Sequence, residues 1–301
     1  MSNTEKNTLT IFTPTYNRAY ILPQLYKSLK NQSNQGFEWI IVDDGSSDET
    51  ESLVSKWIGE GIINIRYIKQ RNAGKMQAHN VGVEATQTEL FLCVDSDDWL
   101  LPDSVEIILN NWEALSEAEK ESTAGFVAYK GKNPVEVIGN CFPDGIKQSS
   151  LSDLYVNGFR GDTTIIFKTE LIMQYPFPII EGEKFITEAY IYEQIDLSYT
   201  YHLIPSIMTV CEYRDDGLTL NLLKLAFNNP GGYTAYYIQK GNFSKNIKDK
   251  MLYYIRANCF RKETKGKTLP VSPDNKMLYN LMYIFGAFLH YNKKKKYMNG
   301  K

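Results

Sequence analysis

From Leu9 to Val94 the chain alternates short apolar runs with longer stretches in which apolar residues recur at helical spacing. "LTIFT" (9–13) reads as a strand, and Leu22, Leu25, Tyr26 and Leu29 follow at i, i+3, i+4 and i+7, one face of a helix. "EWIIVD" (38–43) is a second buried strand. "SSDETESLVSKWI" predicts a helix capped by Ser47 or Asp48, with Leu53, Val54, Trp57 and Ile58 as its buried stripe. "INIRYIK" (63–69) is a third strand, "GKMQAHNVGVEA" (74–85) a helix, and "LFLCV" (90–94) a fourth strand. Strand and helix in regular alternation predict βαβ units: an α/β protein with a mostly parallel central sheet and helices on both faces.

In such sheets ligands bind beyond the carboxyl ends of the strands. The residues expected there are "PTYNR" (14–18), "DDGSSD" (43–48), "QRNAGK" (70–75) and "DSDD" (95–98), four polar clusters on one rim. The last poses a problem, because Asp95, Asp97 and Asp98 crowd the end of a core strand just before Trp99. Carboxylates this close repel one another, so the cluster calls for a positive partner. No G-x-x-x-x-G-K-[ST] loop and no G-x-G-x-x-G after the first strand is present. Hard oxygen ligands favour Mg2+ or Mn2+ over zinc, and such ions usually complete their coordination with substrate phosphates. A nucleotide diphosphate bridged by metal is the expected guest. Asp43 reads as the cap of a turn, Trp99 as core or pocket wall, and His79, His202 and His290, which form no motif together, as structural residues.

Composition is that of a globular protein, 43% hydrophobic and 23% charged over 301 residues. The four cysteines are far apart, match no zinc spacing, and read as reduced thiols. The N-terminus lacks a signal-peptide pattern, and no apolar run approaches the roughly 20 residues of a spanning helix, which predicts a cytoplasmic location. Net charge is −2, yet residues 245–301 hold 14 Lys+Arg against 3 Asp+Glu, a net +11 that leaves −13 for the rest. The apolar run "LMYIFGAFLHY" (281–291) and the "NKKKK" behind it suit peripheral contact with an anionic membrane, the alternative being a plain solvated tail.

"TPTYNR", "VDDGSSD", "NAGKMQAHNVG" and "VDSDD", in this order and at these separations, resemble the GT-A domain of family-2 glycosyltransferases, over about residues 8–130. "TTIIFK", "GEKFITEAYIYEQI" and "EYRDDGLTLN" are similar to the acceptor-side half of bacterial polysaccharide- or capsule-type members. The resemblance implies a GT-A domain over residues 1–220, with a nucleotide-sugar half at 8–130 and an acceptor-side half at 131–220, followed by a mainly helical region over 221–301. It implies a UDP-sugar donor, a saccharide or lipid-linked saccharide acceptor in cell-surface polysaccharide assembly, and no nucleic-acid partner. By position, Asp97 would hold Mn2+ or Mg2+, and Asp95 would reach the ribose side and support the metal. Pro14 and Tyr16 would line the base pocket, Asp44 would accept from the uracil N–H, and Asn17, Arg18 and Lys75 would lie near the nucleotide.

The inverting reaction implied by the resemblance needs a carboxylate base for the acceptor hydroxyl. Family members usually carry it in a Glu-Asp pair, where this chain has Glu188-Ala189; Glu188 is therefore the candidate, with Glu183 and Glu193 behind it. Alternative readings are a sugar-nucleotide-binding protein that has lost its base, and a sugar-nucleotide pyrophosphorylase, although the latter's glycine-rich first loop is missing. A processive synthase is disfavoured by the absence of Q-x-x-R-W and of spanning helices.

Overall fold

The computed structural model describes residues 8–211 and 222–299; the motif "EYRDDGLTLN" (212–221) lies outside them. Ten strands form one sheet: β1 Leu9–Thr15, β2 Phe37–Asp43, β3 Ile65–Lys69, β4 Leu90–Cys93, β5 Asp98–Leu100, β6 Thr123–Asn133, β7 Glu136–Val137, β8 Gln148–Ser149, β9 Thr163–Lys168 and β10 Thr200–Cys211. The order is β3-β2-β1-β4-β9-β6-β10-β5, with β7 beside β6 and β8 beside β10. β1 to β4 run parallel, in the register Ile11↔Trp39, Ile11↔Leu92 and Trp39↔Ile65. β9 is antiparallel to β4 and β6, β10 is parallel to β6, and β5 closes the edge antiparallel to β10.

The helices are α1 Leu22–Lys30, α2 Thr50–Glu60, α3 Lys75–Ala85, α4 Ser104–Glu113, α5 Glu117–Ser122, α6 Leu151–Val156, α7 Thr169–Ile172, α8 Ala189–Ile195, α9 Leu222–Asn228, α10 Pro230–Phe243, α11 Ile247–Asn258, α12 Lys276–Leu281 and α13 Tyr283–Asn299. Strand side chains alternate between faces. Leu9, Ile11, Trp39, Ile41 and Leu92 therefore share one face, buried with Leu22, Leu25 and Leu29 of α1, Trp57 of α2 and Ile108 of α4. On the opposite face Phe12 stacks on Phe91 and meets His79 of α3 edge-on.

Two local expectations change. Ile58 was expected in the buried stripe of α2 but is 44% exposed, because the face that reaches the sheet is Thr50, Val54 and Trp57, at i, i+4 and i+7. Neither Ser47 nor Asp48 occupies the cap position, which is Glu49; Asp48 instead accepts from the Thr50 N–H (3.1 Å) and hydroxyl (2.6 Å) from one residue further back. The acidic cluster follows the end of β4 as expected, and its last member, Asp98, also begins β5, opposite Cys211.

The chain divides into two compact units. One takes the chain up to Pro176 together with the segment from Ile191 through β10; the other takes Phe177–Tyr190 and the C-terminal helices. In the second unit, α10 and α11 pack around Ile238, Tyr254 and Ala257, with Tyr279 and Met282 completing the cluster. None of the four cysteines is in a disulfide.

Candidate active site

Because β1 to β4 run parallel, the segments that follow Thr15, Asp43, Lys69 and Cys93 leave the sheet at the same edge. The first two loops are tied together by Asn17. Its φ of 53 lies in the left-handed region that asparagine tolerates better than most residues. Its N–H donates to Ser46 Oγ at 2.8 Å, and its Oδ1 accepts from the Ser47 N–H at 2.8 Å. Pro14 is a buried residue of β1, paired with Val42. Tyr16 beside it is 49% exposed, so its ring face is open. The Arg18 guanidinium bonds the Tyr20 hydroxyl and lies over that ring.

Asp43 is fully buried; it accepts from the Ser46 N–H at 2.7 Å and from the Tyr67 hydroxyl, the turn-capping role expected for it. Asp44 holds the third loop. Its Oδ1 accepts from Gln70 Nε2 and from the Ala73 N–H, both at 2.7 Å, and its Oδ2 accepts from the Gly74 N–H at 2.8 Å. A carboxylate offers about four acceptor positions, so most of Asp44 is engaged with its own chain. Two buried atoms on the same rim have no partner among the described residues, Thr15 Oγ1 and Gln70 Oε1. Buried polar atoms are seldom left so.

Gly74, with φ 97, supplies a backbone geometry that glycine alone adopts readily, and Lys75 opens α3 directly after it. Lys75 Nζ lies 2.8 and 2.9 Å from the two Asp95 oxygens. On the other side Lys130 Nζ of β6 meets Asp98 at 2.7 Å, with both side chains largely buried. The positive partners demanded by the acidic cluster are therefore two lysines of the chain itself. Lys130 was not anticipated from the sequence; its signal is a single lysine inside the apolar run "TAGFVAYK" (123–130).

Burial tends to raise the Asp95 carboxyl, but Lys75 and Lys130 outweigh it and hold it below its ordinary value. For Asp98, burial and the neighbouring Asp95 and Asp97 charges prevail over Lys130 and push it up to about 6. Against its own burial, Lys130 is held above its ordinary value by Asp98 and Asp95, so the pair is ionised at neutral pH.

Asp97 is half-buried, and among the described residues no hydrogen bond or ion pair engages its carboxylate. No group of three His, Cys, Asp or Glu side chains able to hold a metal occurs among the described residues. Asp97 and Asp95 thus fit a hard divalent ion of the kind that takes one or two carboxylates and completes its shell with water and substrate phosphates. They do not fit an ion held by protein alone.

Glu188 is half-buried and immediately precedes α8, in the second unit. Glu183, one of the two reserve candidates for the base with Glu193, is engaged within the second unit. Its side chain is 2% exposed, accepts from the Gly231 and Gly232 N–H groups at the start of α10 (2.7 and 2.8 Å), and pairs with Lys267 at 2.6 Å.

Residues 10–120 match Glycosyl transferase family 2. Over 273 residues the chain is 26% identical to the GalNAc(5)-diNAcBac-PP-undecaprenol beta-1,3-glucosyltransferase of Campylobacter jejuni, covering 86% of this chain and 84% of that protein. The teichoic acid poly(glycerol phosphate) polymerase of Staphylococcus epidermidis is 34% identical over 113 residues, 36% of this chain but 16% of its own length. Among solved structures, Staphylococcus aureus TarS 1–349, also known in complex with UDP-GlcNAc, matches with a TM-score of 0.57 at 16% identity, over 97% of this chain and 92% of that one. The mannosyltransferase PcManGT of Pyrobaculum calidifontis, in complex with GDP-Man and Mn2+, gives 0.56 at 15% identity, over 95% and 86%. These likenesses establish the GT-A fold.

Proposed function

This chain is a glycosyltransferase with a family 2 domain over residues 10–120, and we propose that it moves a sugar from a UDP-sugar to an acceptor hydroxyl with inversion at the anomeric carbon. The observation that carries this reading is the rim: an unengaged Asp97 stands beside a lysine-paired Asp95, next to a loop with unpartnered buried polar atoms. In this reading Tyr16 and Pro14 flank the base, and Asp44, through the loop it holds, fixes the base-reading edge. Asn17 and Arg18 shape the wall beside it. Asp97 and Asp95 would hold Mn2+ or Mg2+, which would supply positive charge against the diphosphate leaving group. Lys75 adds a fixed positive charge at the same place. The acceptor oxygen bonds to the anomeric carbon as the bond from that carbon to the β-phosphate oxygen breaks. The hydroxyl proton passes to a carboxylate, which we assign to Glu188.

The C. jejuni relative carries PP-undecaprenol in its name, which supports a lipid-linked saccharide as acceptor here, in assembly of a cell-surface glycan. Action at the cytoplasmic membrane face, with peripheral contact, belongs to the same reading. Purified protein should release UDP from a UDP-sugar in Mn2+ and stop when EDTA is added. Asp97→Asn should slow this by about a hundredfold or more while the melting temperature holds or rises, since one charge leaves a repulsive cluster. Normal turnover of Asp97→Asn would refute the metal assignment, and full-rate transfer by Glu188→Gln would refute the base.

A further inference from the structure

α12 and α13 carry two apolar faces, and the second unit uses one. The inner face is Tyr279, Met282, Gly286 and Leu289. Gly286 lies so close to α11 that a Cβ there would come within 2.4 Å of Asn258 Cβ and 2.9 Å of the Ile255 carbonyl oxygen. His290 Nδ1 sits 2.7 Å from the Cys259 carbonyl oxygen, and Lys293 Nζ lies over the Phe260 ring. These contacts fix the rotation of α13 about its own axis.

Among the described residues nothing covers the other face. Met277, Leu281, Ile284, Phe285, Phe288 and Tyr291 recur at spacings of one, three and four residues, and each is more than half exposed, Ile284 at 72% and Phe288 at 69%. A contiguous exposed apolar stripe of this size marks an interaction surface rather than ordinary scatter. Lysines bracket it: Lys276 at one end and Lys293 to Lys296 at the other, with no Asp or Glu anywhere in 276–299. Lys276, Lys294 and Lys295 are exposed.

We propose that this stripe is the surface by which the protein docks on an anionic lipid bilayer, the helix lying in the plane of the headgroups with Ile284, Phe285 and Phe288 inserted. The proposal gives the membrane contact proposed above its residues, and it rests on that contact rather than on the transfer chemistry. Charge decides the occupant. If the stripe paired with a second copy about a two-fold axis, lysine-bearing ends would meet lysine-bearing ends in either orientation; these helices carry no carboxylate of their own, and Glu263, 3.1 Å from Lys294 Nζ, offsets one lysine only. Anionic headgroups reverse the sign of that interaction, and apolar burial plus basic flanks is the combination that holds interfacial helices.

The experiment is flotation of the full-length protein with phosphatidylglycerol/phosphatidylcholine vesicles and with phosphatidylcholine alone, at low and high salt. Binding is expected to the anionic vesicles only, and to weaken with salt. The double variant Phe285→Ser/Phe288→Ser should partition at least about tenfold more weakly, and Lys276→Gln/Lys295→Gln about fivefold more weakly per lysine. Melting temperature and vesicle-free UDP release of both variants should stay at the wild-type level, which separates lost docking from lost folding. No flotation of the wild type at low salt overturns the proposal. So does a dimer in light scattering that Phe285→Ser/Phe288→Ser converts to monomer, because the stripe would then be a contact between copies. If vesicles bind but no UDP-sugar turns over, the transfer reading fails while this surface stands; turnover without vesicle binding gives the reverse.

Discussion

Asp44 shows how one side chain can govern a site it barely exposes. Its carboxylate organises Gln70, Ala73 and Gly74, and through Gly74 the start of the helix that presents Lys75 to Asp95. Removing it leaves two backbone N–H groups and an amide without an acceptor, each a loss of about 1–3 kcal/mol if it stays dry. Asp44→Ala should therefore lower both the melting temperature and UDP affinity, the latter about tenfold or more by calorimetry; a residue that only touched the base would leave stability alone. His79 behaves differently. Burial first, and Lys75 second, push it down to about 3, so the folded protein keeps it neutral. Below pH 6.5 the unfolded chain takes up a proton that the folded chain cannot, and stability falls by about 1.4 kcal/mol per pH unit. Above that pH the effect vanishes. His79→Leu should reduce the stability lost between pH 7 and pH 5 by about 2 kcal/mol in urea melts, and an unchanged loss would mean that the folded imidazole takes the proton.

At the scale of elements, α3 is the critical piece, because its first residue is Lys75 and its flank lies on β1. The two approach so closely that a Cβ on Gly82 would fall 2.3 Å from Phe12 Cδ2. Phe12 cannot step aside, being fully buried against Phe91 and His79. Gly82→Ala should cost about 1–3 kcal/mol through overpacking and displace Lys75, so both melting temperature and UDP release should drop. Gly59, exposed in α2 with nothing near its would-be Cβ, is the matched control. There alanine should stabilise by a few tenths to about 1 kcal/mol, and equal effects at the two positions would sink the packing argument.

At the scale of the whole molecule, the two units should respond separately. Glu183 closes the start of α10 and is joined to Lys267 across 84 residues of sequence. Glu183→Gln removes a charge from hydrogen bonds worth about 1.5–3 kcal/mol each. Hydrogen exchange should quicken through α10 and α11 while the β1 to β4 amides keep their protection, and a uniform change would show that the units unfold as one. The sequence by itself determined the parallel strand–helix alternation, the rim that gathers Tyr16, Asn17, Asp44, Lys75, Asp95 and Asp97, and the apolar faces of α1, because period and turn residues are local signals carried by neighbouring positions. Only the tertiary structure decided that Lys75 and Lys130 answer the aspartates from 20 and 32 residues away, that Asp44 spends most of its acceptors on its own loop, and that Glu183 accepts from the start of α10. It also decided which face of α13 is left uncovered. These are contacts between elements far apart in the chain, and no periodicity within one element records which side chains the fold will bring against it.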